Sequence, residues 1–169
     1  AGQHSALYPF SVIYYVVPLA RAYGLFTVSQ LLLAGLSLYF YARTIRLSRL
    51  AAAVGGLTFA FSGFMLVSTV FPMIIATAAW LPLLLGITER LLQAVSEGGS
   101  QSRRLALRAP LPWLVLGSLA LGCQVLAGHV EFLYYNLLVL AAYGAWRAVG
   151  EFVRPRRWRA LAVFAGLLG

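Results

Sequence analysis

Long uncharged tracts separated by arginine clusters are the feature that most constrains this chain. Between Arg21 and Arg43 lie 21 uncharged residues, and between Arg49 and Glu89 lie 39. About 20 residues of helix cross roughly 30 Å of hydrocarbon. The first tract therefore predicts one span and the second predicts two, divided near Pro72. Since 62% of the residues are hydrophobic and 10% are charged, the composition excludes a soluble globular domain.

The same count along the chain predicts an all-α, polytopic transmembrane helix bundle in one integral membrane domain, residues 1–169. The predicted spans are 22–42, 50–70, 73–90, 109–127 and 130–149, with an incomplete sixth at 160–169. In residues 1–21 the apolar stretch 8–20 is too short for a span, and it is expected to form an external segment that is interfacial or re-entrant. The chain opens on Ala-Gly-Gln and stops ten residues into an apolar tract, which favours a fragment of a longer protein.

The arginines predict the orientation, because short cytoplasmic loops retain Lys and Arg. Twelve of the 13 arginines fall on one side of the predicted bundle, in the loops 43–49, 90–108 and 147–159. These loops are therefore expected on the cytoplasmic side of the membrane, with the N-terminal stretch outside. The arginines are divided among loops rather than aligned on one face, so nucleic acid is not an expected partner.

Small residues four apart predict close contacts between helices. Such sets occur on the second, fourth and fifth spans: Ala52, Gly56 and Ala60; Ser118 and Gly122; Ala141 and Ala145. Pro82 lies inside the third span, where it must leave a carbonyl unpaired and bend the helix. That bend either shapes a cavity or is one of the prolines common in membrane helices.

Polar residues collect at the outer ends of the fourth and fifth spans, at Gln124, His129, Glu131 and Asn136. Glu131 and Arg147 are only about 22 Å apart along a helix, so both charges cannot clear the hydrocarbon core unaided. We expect Arg147 to extend inward to water. Glu131 then lies near the membrane boundary within reach of His129, or faces a wet cavity; the alternative is a hydrated turn in which Glu131 favours the helix N-terminus.

His129 and Glu131 are thus the candidate catalytic residues, and Gln3, His4 and Gln124 are weaker candidates for binding substrate. Two histidines and one glutamate without ligand spacing predict no metal site. The single cysteine, Cys123, permits neither an intrachain disulfide nor a cysteine metal site.

Several blocks in this order resemble the bacterial YfhO-type membrane proteins, which are placed in the GT-C superfamily of multi-spanning glycosyltransferases. The blocks are Arg46–Leu50 running into Gly55–Phe64, then Ala76–Pro82, then Gln124–Glu131. The chain departs from the family pattern at Val130, where proline is frequent, and at Tyr8, which stands where the family often has Asn before the proline.

The resemblance implies an enzyme that takes sugars from polyprenyl-phosphate donors at the outer face of the membrane. Its acidic base would lie in a first external loop that precedes residue 1, and a divalent cation is compatible with the family. Expected partners are membrane lipids, a polyprenyl-phosphate sugar and other membrane subunits. A different class of function stays open, a non-catalytic transmembrane subunit that packs in a larger membrane complex. A transporter core ranks below both, because no inverted repeat is visible.

Overall fold

The computed structural model of the protein describes residues 5–98 and 110–167, and these are helical without a β-strand. Two short 3-10 turns, Ser5–Leu7 and Pro9–Ser11, come first. The helices follow as α1 (Val12–Val16), α2 (Leu19–Thr44), α3 (Arg49–Ala60), α4 (Gly63–Val67), α5 (Pro72–Ala78), α6 (Leu81–Gly98), α7 (Leu111–Leu126) and α8 (Val130–Leu167), with a further 3-10 turn at Ser68–Val70.

Among the described residues, three helical stretches are long and apolar enough to cross a membrane, Leu19–Thr44, Arg49–Val70 and Pro72–Val95. They coincide with the first three predicted spans, 22–42, 50–70 and 73–90. Leu111–Leu126 is apolar but shorter. The all-helical class and the presence of membrane-length helices are therefore confirmed, whereas the larger number of spans stays a prediction.

The small residues of α3 lie against α2, as their spacing predicts. Ala52, Gly56 and Ala60 are all buried. A Cβ atom added to Gly56 would lie 2.6 Å from the carbonyl oxygen of Gly35 on α2, a distance that real side chains do not reach. Glycine at both positions thus lets the two backbones touch, and this part of the packing prediction is confirmed.

The third span is interrupted where Pro82 predicts a bend. Helix α5 ends at Ala78 and α6 begins at Leu81, so the turn at 79–80 lies directly before the proline. Proline is tolerated in the first turn of a helix, because the backbone N–H groups of that turn have no intrahelical acceptor. The span is consequently two helices joined by a break rather than one bent helix.

The N-terminal segment packs onto this break. Its short elements end at Val16, and α2 begins at Leu19, directly after Pro18. Tyr8 is buried in one core cluster with Phe26 of α2 and Trp80 of the break. The segment predicted to be interfacial therefore contributes to the protein core.

Helix α8 is longer than the sequence predicts. It runs without interruption from Val130 to Leu167, through the expected loop 147–159 and the expected start of a sixth span. Its five arginines favour a helix, whereas Gly150 and Pro155 in the same stretch disfavour one, so local propensity does not account for the continuous backbone. At 1.5 Å per residue its 38 residues extend about 57 Å, nearly twice the hydrocarbon core.

Candidate functional site

A neutral polar cluster surrounds the break between α5 and α6, and we call it the break cluster: Tyr8, Gln30, Thr77, Trp80, Gln124 and Asn136. Tyr8 donates its hydroxyl hydrogen to Gln30 Oε1 at 2.7 Å. Trp80 Nε1 in turn donates to the Tyr8 hydroxyl oxygen at 3.0 Å. Burial raises the pKa of Tyr8 far above its ordinary value. The phenol therefore stays protonated and links the N-terminal segment, α2 and the break.

The carbonyl of Thr77 is the second focus of the break cluster. Helices leave their last carbonyls without intrahelical partners, and Thr77 lies one residue before the end of α5. Gln124 Nε2 from α7 and Asn136 Nδ2 from α8 both donate to this oxygen, each at 3.1 Å. The break thus creates an acceptor that two other helices bind.

Gln124 is completely buried, yet its Oε1 atom has no hydrogen-bond partner in the described part of the chain. The carbonyl of Thr77 determines the orientation of this amide, because only the amide nitrogen can donate a hydrogen bond to it. This residue, a predicted substrate contact, therefore holds α7 against the break through one half of its amide.

His129 and Glu131 form the start of α8 rather than a joint site. His129 Nδ1 accepts the backbone N–H of Phe132 at 3.3 Å, as a helix-capping acceptor does. Glu131 is exposed and accepts a hydrogen bond from Tyr135 at 3.2 Å. Within the described ranges no contact joins the two residues to each other, and this geometry corresponds to the helix-start alternative. Gln3 and His4 lie outside the described residues.

A charged cluster lies towards the other end of α6, and we call it the carboxylate cluster: Glu89, Gln93, Tyr143 and Arg147. Arg147 binds Glu89 in a bidentate manner, with Nη2 at 2.5 Å from Oε1 and Nε at 2.7 Å from Oε2. Tyr143 donates to Oε2 at 2.9 Å, and Gln93 donates to Oε1 at 3.1 Å. The side chain of Glu89 is 5% exposed.

Four donors satisfy both oxygens of this carboxylate, which is the condition under which a buried charge is tolerated. The carboxylate cluster therefore joins α6 to α8, and its geometry is that of a structural ion pair rather than of a base open to substrate. The guanidinium of Arg147 binds Glu89 while its side chain keeps 22% exposure, so the expected extension of Arg147 to water stays a prediction.

Sequence reasoning missed this pair because Glu89 was taken as the polar end of a span. One signal was present. Glu89 and Arg147 are opposite charges at the same predicted end of two spans, and each borders a tract too apolar to place a charge cheaply.

Where the chain is described, no group of three His, Cys, Asp or Glu side chains could hold a metal ion. The two clusters therefore offer hydrogen bonds and one neutralised charge. Comparison of the chain with protein-family models, with curated proteins and with solved structures finds no match.

Proposed function

We propose that this chain is a membrane-embedded segment of a GT-C-like glycosyltransferase that uses a lipid-linked sugar donor at the outer face of the bacterial inner membrane. The YfhO-type resemblance is the basis for the proposed activity, and in this proposal the catalytic base lies outside residues 1–169. The Arg-rich positions 43–49, 90–108 and 147–159 face the cytoplasm.

The observation that supports this proposal best is the contrast between the two ends of the bundle. The arginines Arg43, Arg46, Arg49 and Arg90 lie at the end where α2 and α6 finish, together with the carboxylate cluster. The break cluster lies toward the opposite end and contains only neutral groups. A donor head group outside the membrane would meet this arginine-poor end, where the break cluster keeps the outer parts of the helices in fixed positions.

In this proposal the described residues position the outer surface, and His129 and Glu131 are its nearest groups for substrate contact. Both lie at the start of α8. The bonds of His129 to Phe132 and of Glu131 to Tyr135 leave the second ring nitrogen of His129 and the exposed carboxylate of Glu131 as hydrogen-bonding groups.

The orientation is tested by cysteine labelling in a Cys123→Ala background. Val130→Cys places a thiol at the exposed start of α8, and Leu47→Cys places one in the α2–α3 turn. An impermeant maleimide should label residue 130 in intact spheroplasts and residue 47 only after lysis. Labelling in the reverse pattern contradicts the orientation.

The activity is tested in membranes that contain the intact protein carrying this segment. Transfer of labelled sugar from a polyprenyl-phosphate donor is expected with the wild type and reduced with Glu131→Gln. Val130→Ala, at a neighbouring exposed position, is the control and should retain transfer. Absence of transfer from every polyprenyl-phosphate sugar contradicts the enzyme proposal.

One observation favours the non-catalytic subunit as the second candidate. The small residues predicted to mediate packing on α7 and α8, Ser118 with Gly122 and Ala141 with Ala145, are exposed. Their partners are then other membrane helices. Disulfide trapping through Gly122→Cys tests this alternative, since a specific crosslinked product without any sugar transfer would favour the subunit over the enzyme.

A further inference from the structure

A groove of about 210 Å³ runs between α6 and α7. Its wall on α6 includes Leu84, Ile87 and Leu91, its wall on α7 includes Leu114 and Leu121, and Leu140 of α8 contributes from behind. Gly117 keeps the helices close, since a Cβ there would lie 3.3 Å from Ile87 Cγ2. The groove reaches the surface at Leu114, which is 49% exposed.

The groove is lined mainly by apolar side chains, and its two hydroxyl residues are Thr88 and the exposed Ser118. Thr88 lies in its lining but donates its hydroxyl hydrogen to the carbonyl of Leu84 at 2.8 Å, so this donor is already used. From Leu84 to Leu91 the α6 wall extends about 10 Å. A narrow apolar channel of this kind suits a hydrocarbon chain, which needs contact and no hydrogen bonds.

A positive charge lies at one end of the groove. The guanidinium carbon of Arg90 is 5.9 Å from the centre of the Trp113 ring, and Trp113 lines the groove. The neighbouring carboxylate of Glu89 is occupied by Arg147, Tyr143 and Gln93. It therefore does not neutralise Arg90, which remains exposed. An arginine stacked on a tryptophan at a membrane boundary is well suited to bind an anionic head group.

We propose that the α6–α7 groove binds one acyl chain of an anionic phospholipid of the cytoplasmic leaflet, with the lipid phosphate at Arg90. The charge of Arg90 at the end of an apolar groove is complementary to a lipid that carries a phosphate at the end of a hydrocarbon chain. This proposal rests on the membrane insertion and orientation proposed above, and it does not depend on the glycosyltransferase activity.

The charge is tested by electron spin resonance on the full chain in vesicles, with spin-labelled phosphatidylglycerol and phosphatidylcholine as probes. The motionally restricted fraction should be larger for phosphatidylglycerol. Arg90→Gln should lower this preference about fivefold, the contribution expected of one arginine near a charged membrane surface. Arg49→Gln removes an exposed arginine at the same end but away from the groove, and it should lower the preference clearly less.

The apolar part is tested by filling the groove. Ser118 is an exposed groove residue, whereas its neighbour Leu119 is exposed and outside the lining. Ser118→Phe should reduce the phosphatidylglycerol preference, and Leu119→Phe should leave it unchanged. Circular dichroism verifies that each variant is folded.

Three outcomes would overturn the proposal. Equal losses for Arg90→Gln and Arg49→Gln indicate a diffuse positive surface, and an unchanged preference in Ser118→Phe indicates that the groove is filled by the chain itself. The third is a wild type with a restricted lipid fraction but no preference for phosphatidylglycerol. Absence of any restricted fraction, with either lipid, identifies failed insertion instead and refutes the membrane assignment on which both proposals stand.

Discussion

The break cluster and the carboxylate cluster both place polar groups inside an apolar protein, but they do so by different means. Around Thr77 the acceptor is a backbone carbonyl at a helix end, and neutral amides from α7 and α8 bind it. Around Glu89 the acceptor is a charged side chain, and four donors including a bidentate guanidinium surround it.

The two clusters differ in how they respond to the removal of one hydrogen-bond donor. The Thr77 carbonyl keeps a donor when either amide is removed, and Gln124 already has an unpaired oxygen in the described structure. The buried carboxylate of Glu89 has one cationic partner among these donors, and without it a negative charge would be left in an apolar environment. The neutral cluster should therefore tolerate single substitutions that the charged cluster does not.

The largest expected effect is that of Arg147→Leu, which leaves Glu89 without its cation. Breaking a buried ion pair from one side costs about 3 to 5 kcal/mol. The measurement is the free energy of unfolding by denaturant in detergent micelles. Glu89→Leu combined with Arg147→Leu should recover most of the loss, because two apolar side chains leave no unpaired charge. Arg90→Leu, which removes an exposed arginine, is the control. If Arg147→Leu lowers the free energy of unfolding no more than Arg90→Leu does, the pair is not buried in solution.

The next effect is that of Gln124→Met combined with Asn136→Leu, which strands the Thr77 carbonyl. An unsatisfied buried acceptor costs about 1 to 3 kcal/mol. The losses in free energy of unfolding of the two single variants should add up to less than the loss of the double variant, because either amide alone still satisfies the oxygen. A double-mutant cycle on the free energy of unfolding measures this coupling, and strict additivity would contradict the shared-acceptor geometry.

A smaller difference should separate the two single substitutions. Asn136→Leu is expected to cost about 1 kcal/mol, the usual net value of one hydrogen bond. Gln124→Met should cost less, because it also removes the unpaired Oε1 atom. Thermal unfolding of both variants in one detergent gives the comparison. If Gln124→Met is the more harmful, Oε1 has a partner in solution.

The smallest effect is expected at Glu131, outside both clusters. Glu131→Gln removes a negative charge near the N-terminus of α8 and should cost a few tenths to about 1 kcal/mol. Tyr135→Phe removes the hydrogen bond to Glu131 and keeps the charge, so it separates the two contributions. In a double-mutant cycle, the stability losses of Glu131→Gln and His129→Ala should add. Coupling between the two positions would instead support a joint site.

The sequence predicts those features that have a local signature. The periodicity of Ala52, Gly56 and Ala60 predicted a buried face, but that periodicity alone does not identify the helix that packs against it, which is α2 at Gly35. Pro82 predicted a bend because proline lacks an N–H, which is a property of one residue, and the structure has a break between two helices directly before it.

The site residues divide in the same way. Gln124 and Asn136 were recognised as polar residues in apolar tracts, whereas their common acceptor, a main-chain oxygen, has no sequence signature. Glu89 and Arg147 are 58 residues apart, so neither position indicates the other. The helix-capping role of His129 depends on a ring orientation that residue order does not specify.

The separation of Glu89 and Arg147 also has a consequence for biogenesis. A chain made from the N-terminus exposes Glu89 to the insertion machinery 58 residues before Arg147 is available. Until α8 arrives, the carboxylate must stay hydrated or take up a proton, and α6 cannot settle at its final depth. In contrast, α2 and α3 are neighbours joined by a short turn, and they can pair through Gly35 and Gly56 as soon as both are made. The bundle therefore cannot be completed until α8, its last described helix, has been made.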